Sequence, residues 1–200
     1  WAFERIITTL RKNGRSQKIM LGSGKEAIFD ALDVENGNYT FSVDLGLQNI
    51  IQSIDPKTGA KTINPEAIPK GKKELFVCPD SYGARNWRPT ALDGDSNVLY
   101  VPFRETCMKM RPPLPGDLVN GKFDLGQKPY PRPDSDGNFG GIQAVDLKTR
   151  KVLWTHRKRN VPNTGILATA GELVFSGSID RVFSAHNSIN GDELWRARLN

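Results

Sequence analysis

The sequence predicts an all-β fold made of β-propeller blades, and three features lead to this prediction. Short runs of β-branched and aromatic residues recur between Gly, Asn, Asp and Pro, as strands do between turns. No segment shows a sustained helical period. The segment from Ala144 to Trp154 aligns without gaps with the segment from Ala185 to Trp195, and positions 144 and 185 differ by 41. This spacing suits one four-stranded blade of about 40–45 residues.

Six runs are the clearest strand candidates, because each is short and bounded by turn-forming residues. They cover residues 18–21, 27–32, 98–103, 142–146, 173–176 and 182–185. Apolar stretches such as residues 165–175 are too short and too broken by polar residues to cross a bilayer, so we predict no transmembrane segment. A hydrophobic content of 38% in 200 residues suits one sizeable core in one or two domains.

Earlier copies of the repeat run from Ala31 to Phe41 and, more weakly, from Ser53 to Gly59. In each copy an Asp or Asn can bond turn amides, a Gly supplies a positive φ, and the aromatic residue returns to pack between blades. Arg150 stands in the Gly position of its copy, so that turn must be strained or differently built. A generic array of hairpins is the alternative, and three gap-free copies with the same Ala-to-aromatic interval make it the weaker one.

Seven of the 13 prolines lie in or near residues 111–138. Such a segment cannot be a central strand. We predict an ordered loop inserted over one propeller face, where loops carry function. A flexible spacer is the alternative, since Pro-rich segments also serve as linkers.

The chain carries a net charge of +6, and its basic residues form small groups at residues 11–12, 70–73 and 156–159. A nucleic-acid surface is one interpretation of such groups. Solvated loops and strand ends are favoured, because acidic residues are interleaved and no recognition motif accompanies the charge. We therefore expect no nucleic-acid partner, although a basic surface could steer an acidic protein partner.

Cysteines and histidines are few, and none shows the spacing of a zinc site. Cys78 and Cys107 are the only cysteines, and His156 and His186 are the only histidines. We therefore predict no structural zinc site. The two cysteines flank strand-like runs and could form one disulfide in an oxidising compartment, but their spacing alone leaves paired and free thiols both open.

With these motifs in view, the chain resembles the eight-bladed quinoprotein dehydrogenases. The repeat pattern A-x-D-x-x-T-G-x-x-x-W is similar to their tryptophan-docking motif. Further blocks that agree are residues 167–177 (LATAGELVFSG), residues 78–87 (CPDSYGARNW) and residues 99–108, with its LYVP and ETCM. Together the blocks cover nearly the whole chain.

The resemblance implies that residues 1–200 form about three to four blades of a partial eight-bladed propeller. The chain would be an internal or C-terminal-half segment of a PQQ-dependent alcohol dehydrogenase of the methanol, ethanol or sorbose dehydrogenase type. The start at Trp1, with no Met and no signal-peptide pattern, fits this expectation. Residues 48–65 are most similar to the subgroup that acts on primary and sugar-type alcohols.

The resemblance also implies four contacts to pyrroloquinoline quinone. Lys25 aligns with the basic residue at the quinone oxygens, where a cation stabilises negative charge on the cofactor as it accepts hydride. An exposed turn lysine is the alternative for this position. Asn86 and Trp87 align with the pair beside the quinone, as a hydrogen-bond donor and an apolar wall. Asn163 stands where relatives place Trp or Asn near the cofactor, although Thr164 replaces a usual Gly.

Cys78 and Cys107 match a non-catalytic disulfide of this family, which in the chain-entropy model contributes about 3 kcal/mol. The catalytic Asp, the ligands of calcium or a lanthanide, the vicinal-cysteine ring and the tryptophan floor of the pocket all lie N-terminal to the matched region. No catalytic or metal-binding residue of this chain is therefore assigned. We interpret Asp30, Asp33 and Asp55 as turn residues.

The implied partners are an alcohol substrate, a cytochrome c-type or quinone electron acceptor, the remaining propeller blades and, as a further option, a second copy in a homodimer. The implied compartment is the periplasm of a Gram-negative bacterium. The alternative function is a non-catalytic propeller scaffold or binding module of the bacterial envelope, because a fold does not determine a function. A scaffold would need neither Lys25, nor the Asn86–Trp87 pair, nor the disulfide.

Overall fold

The computed structural model describes residues 3–12, 15–71, 73–111, 118–119, 122–123 and 128–200. Within these ranges the regular structure is strand, apart from one short 3-10 turn, Pro65–Ala67. The described residues include no helix with the length and apolar character that a membrane span requires.

The strands, in chain order, are β1 (Ile6–Lys12), β2 (Arg15–Ser23), β3 (Ile28–Asp33), β4 (Tyr39–Asp44), β5 (Ile51–Ile54), β6 (Lys61–Ile63), β7 (Leu75–Val77), β8 (Ala91–Asp93), β9 (Val98–Arg104), β10 (Thr106–Met110), β11 (Leu118–Val119), β12 (Lys122–Phe123), β13 (Lys128–Pro131), β14 (Gly140–Asp146), β15 (Lys151–Lys158), β16 (Leu167–Thr169), β17 (Leu173–Gly177), β18 (Val182–Asn187) and β19 (Glu193–Arg198).

Three sheets have four antiparallel strands each, and their strands follow chain order. The first sheet is β1-β2-β3-β4, the second is β8-β9-β14-β15 and the third is β16-β17-β18-β19. Successive up-and-down sheets of four strands are the blades of a propeller. The six predicted runs fall on β2, β3, β9, β14, β17 and β18, so the prediction of an all-β fold made of blades is confirmed.

The repeated motif forms the same hairpin in each of the three sheets. Its alanine pairs with its aromatic residue, and a register irregularity follows the alanine each time: Ala31 with Phe41, Ala144 with Trp154, and Ala185 with Trp195. Arg150 holds a left-handed conformation at φ +63°, where the equivalent Gly191 has φ +81°. The second hairpin therefore keeps the common turn at the cost of backbone strain, which was one of the two predicted outcomes.

The aromatic residue of one sheet packs on the turn of the next sheet. The indole Nε1 of Trp154 donates to the carbonyl of Ser188 over 2.9 Å, and a Cβ added at Gly191 would lie 2.5 Å from the indole ring. In the same way, the guanidinium of Arg150 lies 4.8 Å from the ring centre of Phe41. Glycine at the third turn thus leaves room for the ring, while arginine at the second turn forms a cation–π contact.

Two apolar clusters hold the sheets together. The first lies between the first and second sheets and includes Leu21, Phe29, Leu99 and Phe103, each at most 1% exposed. The second joins the second and third sheets. Its buried members are Tyr100, Ile142, Ala144, Trp154, Ile166 and Val174.

Smaller sheets lie along the connections between these blades. β10 is the central strand between β7 and β13, while β5 pairs with β6 and β11 with β12. Of the Pro-rich segment, residues 112–117, 120–121 and 124–127 lie outside the described residues. Pro129 and Pro131 lie on β13, an edge strand, where a missing N–H is tolerated. A loop covering one propeller face stays a prediction.

Candidate functional site

The candidate site is centred on the connection between β7 and β8, residues 78–90. A disulfide joins Cys78 to Cys107 on β10, which confirms the pairing implied by the resemblance. Next to it, the amide of Asp80 donates to the carbonyl of Thr106 over 2.8 Å. The start of the connection is therefore held against β10 by both a covalent bond and a hydrogen bond.

Lys25 lies in the β2–β3 turn and packs on this connection. Its Nζ donates to the carbonyl of Ser81 over 2.6 Å, and its own carbonyl accepts from the amide of Ala84 over 2.8 Å. Gly83 has φ +88°, and a Cβ added there would lie 2.7 Å from Cβ of Lys25, so this approach requires glycine. The lysine is exposed, yet its position is determined by contacts on both its main chain and its side chain.

Asn86 shapes the end of the same connection. Its Nδ2 donates to the carbonyl of Tyr82 over 2.8 Å, and its Oδ1 accepts from the amide of Trp87 over 2.9 Å. Both bonds are local, so they orient the amide and direct the following residue. The indole of Trp87 is 60% exposed and offers an apolar surface to a ligand.

Arg88 connects this pair to the third sheet, and our sequence reasoning missed it. Its guanidinium carbon lies 5.1 Å from the ring centre of Trp87, and its NH2 donates to Oδ1 of Asn163 over 2.9 Å. The Nε of Arg88 is buried without a hydrogen-bond partner. Burial, and then the charge of Arg104, lower the pKa of Arg88. An arginine directly after Asn-Trp was the available signal for a cation at an aromatic surface.

Asn163 is placed by Gly177, the last residue of β17 in the third sheet. Its amide donates to the carbonyl of Gly177 over 2.8 Å. The hydroxyl of Thr164 accepts from the amide of Gly177 over 2.8 Å, so the departure from the family's usual Gly adds a bond that fixes this segment. Asn163 itself is exposed.

The four residues expected at the cofactor therefore lie in one connected row. Lys25 contacts the connection at Ser81, the Asn86–Trp87 pair lies further along it, and Arg88 bridges to Asn163. The row combines an exposed aromatic ring with cations, and one of these cations has an unpaired buried N–H. Such a surface suits a flat, anionic ligand, because the ring packs on its face and the cations bind its oxygens.

Asp33 and Asp55 play the turn role expected of them, whereas the prediction of a turn position is wrong for Asp30, which lies on β3 and pairs with residues of β2 and β4. Oδ1 of Asp33 accepts from the amides of Glu35 and Asn36, while Asp30 forms an ion pair of 2.6 Å with Lys61. Hydrogen bonds, first the one from Gln17, lower the pKa of Asp33. Asp55 is held in the same way by its own turn, and bonds from Thr58 and Lys57 lower its pKa.

A second group of polar residues lies between the second and third sheets, where sequence reasoning assigned no metal ligand. One potential ligand atom from each of His156, His186 and Glu193 falls within 4.8 Å of the others. Burial, followed by His156 and Lys158, lowers the pKa of His186 to about 4. Burial and then Lys158 also lower the pKa of His156. Spacing rules missed this group because its members come from three different strands.

Comparisons with known proteins agree with the resemblance. No family model matches the chain. A quinohemoprotein alcohol dehydrogenase of Comamonas testosteroni is 27% identical over 206 residues, which cover 96% of this chain and 28% of that protein. A quinoprotein ethanol dehydrogenase of Pseudomonas putida is 31% identical over 198 residues, which cover 92% of this chain and 31% of that protein.

Solved structures show the same fold. A europium-containing methanol dehydrogenase superposes with a TM-score of 0.85 at 22% identity, over 99% of this chain and 35% of that chain. The Comamonas testosteroni quinohemoprotein alcohol dehydrogenase superposes with a TM-score of 0.80 at 23% identity, over 97% of this chain and 30% of that one. The chain thus spans about 30% of the length of the curated relatives it matches. Over nearly its whole length, it is related to one segment of the PQQ-dependent quinoprotein alcohol dehydrogenase family.

Proposed function

We propose that this chain forms part of a PQQ-dependent alcohol dehydrogenase and provides one wall of the quinone site. The observation that carries the proposal is the connected row of Lys25, Asn86, Trp87 and Asn163, with Arg88 as its bridge. The names of its relatives, which are quinoprotein alcohol and ethanol dehydrogenases, support the same reaction class.

The residues of the row fit a flat, anionic quinone. Pyrroloquinoline quinone supplies, when bound, a two-electron acceptor for the hydride of an alcohol carbon. The ammonium group of Lys25 has three donors and gives one to Ser81, so others can bind a quinone oxygen and stabilise negative charge there. The amide nitrogen of Asn86 likewise has a second N–H besides the one bonded to Tyr82.

Trp87 and Arg88 would act together. The exposed indole would form an apolar wall against the ring system, and the Arg88 guanidinium would bind an acidic oxygen at its edge. Pairing of the Arg88 guanidinium with an anion would offset the repulsion from Arg104. Asn163 would orient Arg88 by accepting a hydrogen bond from its NH2 group through Oδ1.

The rest of the active site would come from protein outside this chain. We propose that residues 1–200 are three to four blades of the propeller, and that the catalytic Asp and the ligands of calcium or a lanthanide lie on the remaining blades. Primary or sugar-type alcohols would be the substrates. A cytochrome c-type protein would be the electron acceptor, and one relative is named methanol dehydrogenase [cytochrome c] subunit 1. A periplasmic location suits the disulfide, and a homodimer is a further proposal.

A non-catalytic envelope scaffold remains the second candidate. An exposed aromatic ring can also serve in protein binding, so fold alone does not exclude it. The row favours the enzyme, since it places the cations of Lys25 and Arg88 beside an exposed indole, and this combination suits a flat anion.

The test is a titration of the chain with pyrroloquinoline quinone, with and without calcium, followed by quinone absorbance and tryptophan fluorescence. We expect saturable binding that weakens about 10- to 100-fold in the Lys25→Ala, Asn86→Ala double variant, because charge-assisted hydrogen bonds contribute about 1.5–3 kcal/mol. Arg88→Gln should weaken it similarly. Lys57→Ala, an equal charge change at an exposed turn, should leave it unchanged. No binding, or binding indifferent to these substitutions, would favour the scaffold.

A further inference from the structure

The chain's two histidines meet between the second and third sheets. His156 comes from β15 and His186 from β18, and their ring centres lie 4.4 Å apart in an edge-to-face arrangement. Glu193 starts β19 beside them. Ligand atoms of all three lie within 4.8 Å of one another. Two imidazoles and a carboxylate form a frequent three-ligand set of zinc sites with an open position.

The imidazole of His186 is oriented as a metal ligand commonly is, by a hydrogen bond at the ring nitrogen that does not bind the metal. It is fully buried, its Nδ1 lies 3.3 Å from the carbonyl of Gly191, and its Nε2 lies 2.9 Å from the hydroxyl of Ser184. A bond from Nδ1–H to a main-chain carbonyl is the usual way to orient an imidazole whose Nε2 binds metal. Ser184 already lies 3.3 Å from the carbonyl of Ser176 and can donate there instead.

A cleft of about 390 Å³ opens beside the group. We call it the interblade cleft, and its wall includes His156, Lys158, Asn160, Asp180, Glu193 and Arg196. It gives His156 and Glu193, both half-buried, space to rotate. Bonds of about 2.0–2.1 Å in a tetrahedral site require ligand atoms about 3.4 Å apart, so these side chains must close inward by roughly 1 Å.

We propose that His156, His186 and Glu193 bind a zinc-type transition-metal ion whose fourth position opens to the interblade cleft. The cations on the wall of the cleft would favour water, hydroxide or a small anion as the fourth ligand. Neutral imidazoles select this class of metal, whereas calcium and lanthanides prefer sites made of oxygen ligands. The site is therefore distinct in chemistry from any calcium or lanthanide of the quinone site, and it does not depend on the proposed function.

Neighbouring cations compete with the metal for the carboxylate of Glu193. Removing one of them should therefore raise the affinity for the metal. The carboxylate accepts from Nε of Arg196 over 2.7 Å, and the Nζ of Lys158 lies 3.9 Å from it. Removing Arg196 should free the carboxylate and lower the local positive charge. Arg196 is 72% exposed, so its substitution leaves the packing of the fold intact.

The experiment uses the 200-residue chain with Co²⁺ as the visible-absorbance probe, Zn²⁺ as the competitor and NMR of the imidazole nitrogens. Since the chain has only two histidines, one substitution assigns both sets of imidazole signals. We expect one ion per chain, ligand-field bands of a tetrahedral site, and Zn²⁺-dependent shifts of both imidazoles. Calcium should shift neither.

Variants give the decisive comparison. His156→Gln and Glu193→Gln should each weaken Co²⁺ binding at least tenfold, and both positions are half-buried, so two independent variants test the site. Arg196→Gln should tighten binding about twofold to fivefold, because one exposed ion pair is removed. Arg198→Gln, the same charge change two residues along β19, should leave it within about twofold. Absence of binding, or binding that survives both glutamine variants, would overturn the proposal.

Discussion

Docking of Trp154 on the third sheet should be a major contribution to the stability of the fold. Trp154→Ala removes an indole that is 9% exposed and its 2.9 Å bond to Ser188. A buried aromatic area of about 150–250 Å², at about 25 cal/mol per Å², corresponds to about 4–6 kcal/mol, and the hydrogen bond adds about 1 kcal/mol. Because alanine keeps part of this area and the surroundings relax, we expect a loss of about 3–5 kcal/mol in the free energy of unfolding.

Trp195→Ala is the matched control for this prediction. Trp195 has the same position in its repeat, but it is 51% exposed and its ring contacts Phe183 only edge-on at 6.4 Å. We expect a loss below about 1 kcal/mol. Urea unfolding followed by circular dichroism measures both values. Equal losses in the two variants would refute the idea that docking of an aromatic residue on the next turn holds consecutive sheets together.

Three further predictions use the same unfolding assay. Gly191→Ala should lower the free energy of unfolding by about 2–4 kcal/mol, because the added Cβ would sit at a left-handed φ and 2.5 Å from the docked indole. Gly37→Ala is the control, since its φ is also left-handed but no atom lies within 4 Å of the added Cβ, and it should lower this free energy by about 1–2 kcal/mol. Equal losses would contradict the docking geometry. Reduction of the disulfide between Cys78 and Cys107, which are 29 residues apart, should lower the free energy of unfolding by about 3–4 kcal/mol. An unchanged urea midpoint after reduction would contradict this prediction. Glu105→Gln should remove a pH dependence of the free energy of unfolding. Burial raises the pKa of Glu105 above 4.5, because it outweighs the opposing effect of the hydrogen bond from Arg157. Above pH 4.5 the folded state therefore keeps a proton that the unfolded chain has lost. Wild-type stability should therefore fall as the pH rises from about 4.5 through the folded pKa, by at most about 1.4 kcal/mol per pH unit, and superimposable pH profiles for the two proteins would disprove it.

The strands and hairpins could be predicted from the sequence because they depend on neighbours along the chain. Each repeated hairpin needs an alanine, a turn and an aromatic residue within eleven positions, and the same register irregularity appears in all three copies. Arg150 marks the limit of such reasoning. The sequence showed that glycine was missing, but the ring of Phe41 beneath the guanidinium belongs to another sheet.

The candidate site could be predicted only in part. Lys25, Asn86, Trp87 and Asn163 came from a family resemblance, which assigns positions but not contacts. The structure supplied the contacts, and it added Arg88 as the residue that connects the row. The sequence places this arginine directly after Trp87, but its bond to Asn163, 75 positions further along the chain, depends on how the third sheet packs.

By itself, the sequence determined that this protein is all-β, that its hairpins repeat, and which side chains enter each sheet. Alternation along a strand specifies the buried face, and turn residues specify the register. Only the tertiary structure decided which residues of different sheets meet, and so it alone brought His156 and His186 to 4.4 Å with Glu193 beside them. The physical reason is that a strand pattern encodes the direction of a side chain, whereas a binding site depends on the side chains that the neighbouring sheet places opposite it.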